Sequence, residues 1–128
     1  MKDLTVVLKN IPGKLADIGE TLGGSEINME GVTGFPLKDE FFLHILVEDE
    51  TKTRSVLEQA GYQVSVVREV LVLTGVPGNN ILGQPGTAGK IARKIGNAGV
   101  NIDLIYFAGL NRLIIGVDNL EKAKTAME

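Results

Sequence analysis

An internal repeat constrains this 128-residue chain more than any other feature. Pro12-Gly13 recurs as Pro85-Gly86, and Asn28 recurs as Asn101, so both motifs are displaced by the same 73 positions (85 − 12 and 101 − 28). Apolar residues at helical spacing keep the same register between these landmarks. We therefore expect two small, similar units, because 128 residues suffice for two very small cores.

The first half predicts alternating strands and helices. Apolar runs and alternating patterns predict strands at 4–8, 27–35, 41–47 and 62–67, and helices at 15–22 and 51–60. Pro12 lies near the start of the first helix and Gly23-Gly24 at its end, which are the positions these residues favour. The order βαββαβ, with both helices on one face of an antiparallel sheet, is the ferredoxin-like arrangement.

The second half repeats this order incompletely. Strands are predicted at 70–76, 101–107 and 113–117, helices at 87–98 and 120–127, and a longer loop at 77–85. Aligning Val47-Glu48 with Val117-Asp118 leaves no counterpart of the strand 62–67. The expected fold class is therefore α+β: two tandem ferredoxin-like (βαββαβ) units, residues 1–68 and 69–128, the second lacking its last strand.

The composition excludes several classes of function. The net charge is −3, the isoelectric point is about 5.2 and there is no Trp, so neither a basic patch nor a base-stacking surface for nucleic acid is expected. The absence of Cys removes disulfides and thiolate chemistry. No apolar run approaches the ~20 residues that span a bilayer. We expect a cytoplasmic protein without nucleic-acid or membrane partners.

The repeated pattern resembles the ACT domain. In each half a strand leads through Pro-Gly into a helix, and Gly-x-x-x-x-Asn (Gly23 to Asn28, Gly96 to Asn101) then enters a strand. The segment 98–105 is similar to the regulatory region of aspartate kinases. The resemblance covers nearly the whole chain, and it implies tandem ACT units that sense an amino acid and regulate a partner without catalysing a reaction.

The resemblance also implies where a ligand binds. ACT ligands generally lie between two units, at the turn after the first strand and the start of the second. Carried over, the first candidate site comprises Asn10, Ile11, Pro12, Gly13, Lys14, Leu15, Asn28 and Met29. The second comprises Gln84, Pro85, Gly86, Thr87, Ala88, Asn101 and Ile102. The longer loop and missing strand make the second repeat depart from the family pattern.

These residue types suit an amino acid. A helix N-terminus favours a carboxylate, glycine lets a ligand approach the backbone, and an Asn side chain offers a donor and an acceptor. Leu15, Met29 and Ile102 are the candidate apolar walls. Ordinary turn and capping chemistry explains Pro-Gly and Asn as well, so each motif alone decides little.

Other chemical signals in the sequence are discounted. Residues 83–90 resemble a phosphate-binding loop, but the glycine spacing is wrong and Ile91 stands where Ser or Thr is needed. His44 is the only histidine, and it is expected on the face of its strand that points away from the helices, in a packing or interface role. The acidic groups 39–40, 48–50 and Asp103, with its equivalent Glu30, are expected to be solvated.

The sequence therefore predicts a non-catalytic regulatory protein. No nucleophile–base pair can be assembled, and no catalytic residue, cofactor or metal ligand is assigned. The expected partners are a small amino acid, a second copy in a homodimer, and a regulated enzyme. A ligand-free structural or protein-interaction module is the alternative, and the ligand stays open among branched-chain amino acids, methionine, serine and lysine.

Overall fold

The computed structural model describes residues 1–75 and 84–128. The chain divides into two compact units, Met1–Arg68 and Glu69–Glu128. The first unit is built from β1 (Lys2–Lys9), α1 (Lys14–Gly24), β2 (Gly31–Leu37), β3 (Glu40–Val47), α2 (Glu50–Gln59) and β4 (Gln63–Glu69). The second is built from β5 (Leu71–Thr74), α3 (Thr87–Asn97), β6 (Ile102–Ala108), β7 (Arg112–Val117) and α4 (Leu120–Ala126).

The first unit is a four-stranded sheet covered by two helices. Its strand order is β4-β1-β3-β2, and β3 runs antiparallel to both β1 and β2. Leu4 lies opposite Ile45, and because side chains alternate along a strand, every second residue of β1 and β3 points to the helices. The buried members of this core are Leu4, Val6, Leu8, Ile18, Leu22, Leu43, Ile45, Val47 and Leu57. Burial stabilises each by roughly 1.5–3 kcal/mol.

The second unit repeats this layout with three strands. The order β6-β7-β5 corresponds to β2-β3-β1, and β7 is antiparallel to both neighbours. Its core contains Leu71, Ile95, Val100, Leu113, Ile115, Val117 and Ala123. Among residues 84–128 no strand corresponds to β4. The predicted fold class, tandem ferredoxin-like units with an incomplete second unit, is confirmed.

Strand register shows where the repeats differ in length. Ile45 corresponds to Ile115, a displacement of 70 (115 − 45), so the β6–β7 hairpin is three residues shorter than the β2–β3 hairpin. Leu4 corresponds to Leu71, a displacement of 67 (71 − 4), so the connection into α3 is six residues longer than that into α1. Most of this longer connection, residues 76–83, lies outside the described residues.

The strand predicted at 27–35 is wrong at its start. β2 begins at Gly31, because Ile27 donates its N–H to the carbonyl of Leu22 at 2.9 Å and thereby closes the end of α1. Glu26, just before it, has a φ of 58°, which is incompatible with a strand. Ile27 and Met29 still pack against the core, which explains their apolar character without strand pairing.

The second helix of each unit starts in the same way. Asp49 caps α2 by accepting a hydrogen bond from the N–H of Lys52 at 3.0 Å. Asn119, 70 positions later (119 − 49), caps α4 by accepting from the N–H of Lys122 at 3.1 Å. Side-chain caps of this kind satisfy backbone donors that have no partner inside the helix. No helix in the described ranges has the length and apolar character that crossing a membrane requires.

Candidate ligand site

The turn between β1 and α1 is held by hydrogen bonds to the β2–β3 hairpin. Asn10 donates its backbone N–H to the carbonyl of Asp39 at 2.8 Å, and its side-chain amide donates to the carbonyl of Lys38 at 3.4 Å. Ile11 donates its N–H to the carbonyl of Lys9 at 2.9 Å, which tightens the bend. These contacts fix the position of the first turn of α1 relative to the sheet.

Both repeats start their first helix with a left-handed glycine. Gly13 precedes α1 with φ 89° and ψ −13°, and Gly86 precedes α3 with φ 86° and ψ −5°. A Cβ added to either glycine would meet nothing within 4 Å, so the requirement for glycine comes from backbone conformation. Neither helix has a side-chain cap. In α3 the N–H of Thr87 donates to the carbonyl of Gln84 at 3.3 Å. The first turn of α1 has no such bond among the described residues, and its N–H groups are left for solvent or for a ligand.

In the first unit this turn opens into a cleft of about 160 Å³. Its lining residues are Leu8, Lys9, Asn10, Ile11, Gly13, Lys14, Leu15 and Phe41. Ile11 and Leu15 are each 54% exposed, an unusual exposure for large aliphatic side chains. Five predicted residues thus surround one cleft: Asn10, Ile11, Gly13, Lys14 and Leu15. Pro12 is exposed in the turn and does not line the cleft.

Phe41 reaches the cleft because β2 carries a glycine beside it. A Cβ added at Gly34 would lie 2.5 Å from Cε1 of the Phe41 ring. The ring therefore occupies the space that a side chain at residue 34 would take. Phe41 was not among the predicted site residues. A glycine in the neighbouring strand was the available signal.

Asn28 and Met29 lie away from this cleft. They follow α1, whereas Gly13 precedes it, and the eleven residues of α1 span about 16 Å. Asn28 donates a hydrogen bond to the carboxylate of Glu30 and lines a separate cleft of about 210 Å³. Met29 packs against the hydrophobic core. Within the first unit, the two parts of the predicted site are at opposite ends of a helix.

The predicted site residues of the second unit are arranged similarly. Gln84, Pro85 and Gly86 are exposed, and Thr87 and Ala88 are half-buried in the first turn of α3. At the other end of that helix, the backbone N–H of Asn101 donates to a carboxylate oxygen of Asp118 at 3.0 Å, and its carbonyl accepts from the N–H of Asp118 at 3.2 Å. Ile102 packs against the second core.

The phosphate-loop-like pattern and the acidic residues of the sequence form no site among the described residues. Gly83, in the pattern that resembles a phosphate loop, lies outside the described residues. Asp103 is exposed, and Asp49 acts as a helix cap. Among residues 1–75 and 84–128, no group of three or more His, Asp or Glu side chains is arranged to hold a metal ion.

A buried polar cluster escaped sequence analysis. Asp3 is fully buried, and its Oδ2 lies 2.9 Å from Nδ1 of His44. The hydroxyl of Thr5 lies 3.3 Å from the same nitrogen. All three side chains are on the face of the sheet that points away from the core of the first unit, since Leu4 and Ile45 point toward it. The alternation of Asp3 and Thr5 along β1 was the signal that pointed to this face.

Comparison with known protein families finds no match, and comparison with curated protein sequences finds none either. Solved structures do resemble the chain. The protein BT0572 from Bacteroides thetaiotaomicron is 24% identical, with a TM-score of 0.83 over 98% of this chain and 85% of that one. The ligand-free regulatory subunit of aspartate kinase from Thermus thermophilus is 17% identical, with a TM-score of 0.74 over 98% and 86%.

The regulatory subunit of aspartate kinase from Thermus flavus is 15% identical, with a TM-score of 0.64 over 99% of this chain and 92% of that one. At such identities the likeness concerns the fold, and it extends over nearly all of both chains. The resemblance predicted from the repeated Pro-Gly and Asn motifs is confirmed at this level: the chain has the tandem ACT-type fold of aspartate kinase regulatory subunits.

Proposed function

We propose that the chain is a non-catalytic regulatory protein that binds a small amino acid at the first turn of α1. One observation carries the proposal. A left-handed glycine without a side-chain cap starts the first helix of both repeats, and in the first unit it opens into a cleft with polar and apolar walls. A helix end of this kind attracts a carboxylate, through its N–H groups and the positive end of the helix dipole.

The cleft offers a partner for each part of an amino acid. The carboxylate would accept hydrogen bonds from the first turn of α1, beside the ammonium group of Lys14. The side chain of Asn10 donates to the carbonyl of Lys38, which leaves its oxygen to accept from the ligand's ammonium. Leu15 and Phe41 would contact an apolar side chain. A volume of about 160 Å³ is below the ~300 Å³ at which drug-sized pockets begin, which favours a small ligand.

The other predicted residues enter the proposal in two ways. Gln84 to Ala88 would form the equivalent site at α3, since Gly86 repeats the backbone conformation of Gly13. Asn28 is too far from the cleft in its own unit, and we keep it as a contact that a second copy would supply; Asn101 is kept on the same basis. A homodimer is therefore part of the proposal.

The compared structures support an enzyme partner. Two of them are regulatory subunits of aspartate kinase, which are proteins that act on an enzyme. By this analogy the chain would transmit ligand binding to an enzyme in the cytoplasm, through a change in conformation or association. The transmission would require different affinities of the ligand for two states of the protein.

A thermal-shift screen of the purified chain against the twenty amino acids tests the proposal. A ligand that binds only the folded state stabilises it by ~2.7 kcal/mol at a hundredfold excess over its Kd. A rise in melting temperature with one amino acid, or with a few related ones, is expected. A flat screen would contradict the proposal and favour the alternative, an interaction module without a ligand.

A matched pair of variants then locates the site. Leu15→Glu places a carboxylate in the first turn of α1, where it suits the helix dipole and repels the ligand's carboxylate. Thr51→Glu makes the same change at the second residue of α2, away from the cleft. We expect Leu15→Glu to abolish the ligand-induced shift while leaving the basal melting temperature unchanged or higher, and Thr51→Glu to keep the shift. Equal shifts in both variants would exclude this site.

A further inference from the structure

The turns before α1 and α3 share a backbone conformation but differ in their side chains. Gly13 and Gly86 are both left-handed. The repeat displacement of 73 pairs three residues beside Gly13 with residues of another kind beside Gly86: Ile11 with Gln84, Lys14 with Thr87, and Leu15 with Ala88. Two large aliphatic side chains and an ammonium group are therefore present at the α1 turn and replaced at the α3 turn.

The strand residues beside these turns differ in the same direction. Leu8 and Phe41 lie opposite each other on β1 and β3 and form an apolar floor of the α1 cleft. The strand displacements of 67 and 70 pair them with Gly75 (75 − 8) and Asn111 (111 − 41). These two are also neighbours, since the N–H of Gly75 donates to the carbonyl of Asn111 at 2.9 Å. At α3 the apolar floor is thus replaced by a residue without a side chain and by an amide.

The shorter hairpin of the second unit accounts for part of this difference. Asn111 has a φ of 54° and belongs to the turn, because β7 begins only at Arg112. Phe41 lies inside β3, which begins at Glu40. The loss of the aromatic ring at α3 therefore goes with a different backbone and is more than a single substitution.

The α1 cleft has one cation that can pair with a ligand. Lys9 alternates with Leu8 along β1, so its side chain points to the opposite face of the sheet, where Glu40 lies directly across on β3. Lys14 forms no ion pair with any residue that the structure describes. The described residues that line the cleft include no Asp or Glu. One ammonium group suits the α-carboxylate of a ligand, and no charged group is left for a charged ligand side chain.

We propose that the α1 cleft selects an amino acid with an uncharged, apolar side chain, and that the α3 turn binds this ligand more weakly by roughly tenfold or more. The inference rests on the proposed function and narrows its ligand class. A lysine ligand would bring a second ammonium group into a cleft without a carboxylate. The hydroxyl of a serine ligand would lie against Leu8 and Phe41 without a hydrogen-bond partner.

Calorimetric titration of the whole chain with matched pairs of ligands tests the specificity. Norleucine has the four side-chain carbons of lysine without the ammonium group, and 2-aminobutyrate has a methyl group in place of the hydroxyl of serine. We expect norleucine to occupy a single high-affinity site per chain, with lysine binding more weakly by roughly tenfold or more. From 2-aminobutyrate through norvaline to norleucine, the Kd should fall roughly fourfold with each buried CH2 group.

A leucine substitution assigns the high-affinity site to the α1 turn. Leu15→Ala gives this turn the residue type that Ala88 provides at α3, and it should raise the Kd of norleucine roughly tenfold. Leu15 is 54% exposed, so the variant should fold, which urea denaturation checks. Leu110→Ala is the matched control, because Leu110 is 80% exposed in the hairpin of the second unit and does not line the cleft. We expect this control to keep the Kd of the unmodified chain.

Three results would overturn the inference. The first is tighter binding of lysine than of norleucine, or of serine than of 2-aminobutyrate. The second is two norleucine sites of equal affinity per chain, and the third is an unchanged Kd in Leu15→Ala. The first two leave the proposed function standing, because an amino acid still binds. If neither these ligands nor any of the twenty amino acids binds, the proposed function and the inference are both wrong.

Discussion

The glycines of the first helix fall into two physical kinds. Gly13 is required by its conformation, because φ 89° is in the left-handed region that side chains disfavour. Gly23 lies in the helix proper with open space around it, and no contact among residues 1–75 and 84–128 explains the absence of a side chain. The sequence alone does not separate the two, since both stand beside a predicted helix boundary.

Alanine at these two positions should therefore act in opposite directions. Gly13→Ala forces a Cβ into the left-handed region and is expected to lower the free energy of unfolding by about 1–2 kcal/mol. Gly23→Ala is expected to raise it by about 0.5–1 kcal/mol through helix propensity. Urea denaturation of both variants at low protein concentration measures the difference. Changes of the same sign would show that one of the two glycines has been misinterpreted.

At the scale of elements, the periodic spacing of apolar residues was enough to predict most of the helices and strands. The helix at residues 51–60 and the strand at 41–47 were predicted to within one residue at either end, because their apolar spacing is regular and their ends carry caps or turns. The start of β2 was predicted four residues too early. Ile27 and Met29 have the composition of a strand, but tertiary contacts use them to close α1 and to fill the core.

The close approach of β2 and β3 at Gly34 predicts a coupled effect on the cleft. Gly34→Ala would bring a methyl group against the Phe41 ring and push the ring out of its place, with an expected cost of about 1–3 kcal/mol. If Phe41 contacts the ligand, the ligand-induced thermal shift should fall as well. Chemical denaturation and the thermal-shift assay measure the two effects.

The double variant Gly34→Ala/Phe41→Leu serves as the control for that prediction. A smaller side chain at residue 41 relieves the contact, so the double variant should be more stable than the sum of the single changes predicts. Additive losses of stability would show that the Phe41 ring does not respond to residue 34. The destabilisation by Gly34→Ala would then come from the contact of the new methyl group with the carbonyl oxygen of Phe42.

At the scale of the whole molecule, the two units differ in completeness. In the first unit β4 adds Val64 and Val67 to the core, next to Tyr62. The described part of the second unit has no equivalent strand, and α4 has seven residues against the ten of α2. Small domains are marginally stable. A unit that lacks several of these core side chains should therefore have too small a free energy of unfolding to fold alone.

Separate expression of residues 1–68 and 69–128 tests this asymmetry. We expect the first fragment to unfold cooperatively in urea, with a free energy of roughly 3–5 kcal/mol. The second fragment is expected to lack a cooperative transition and to retain little fixed tertiary structure by near-ultraviolet circular dichroism. If the second fragment unfolds cooperatively and the first is already unfolded, the second unit is the more stable one and the prediction is wrong.

The candidate site was predicted only in part for a reason of geometry. Short motifs identified the turn at residues 10–15, where neighbours in sequence are also neighbours in space. Asn28 was grouped with that turn by family resemblance, and the structure places it at the other end of α1. Phe41 was missed because its contact with the turn depends on strand pairing, and the signal for it, Gly34, lies in a neighbouring strand.

The hydrogen bond between His44 and the buried Asp3 has a practical consequence for spectroscopy. His44 is the only histidine in the sequence, so the unlabelled protein contributes a single imidazole spin system to a proton NMR spectrum. We expect a ring N–H held by this buried carboxylate to exchange slowly with solvent and to resonate outside the crowded amide region. The chain thus carries a native reporter on this face of the first unit, which can be observed without isotopes or attached dyes.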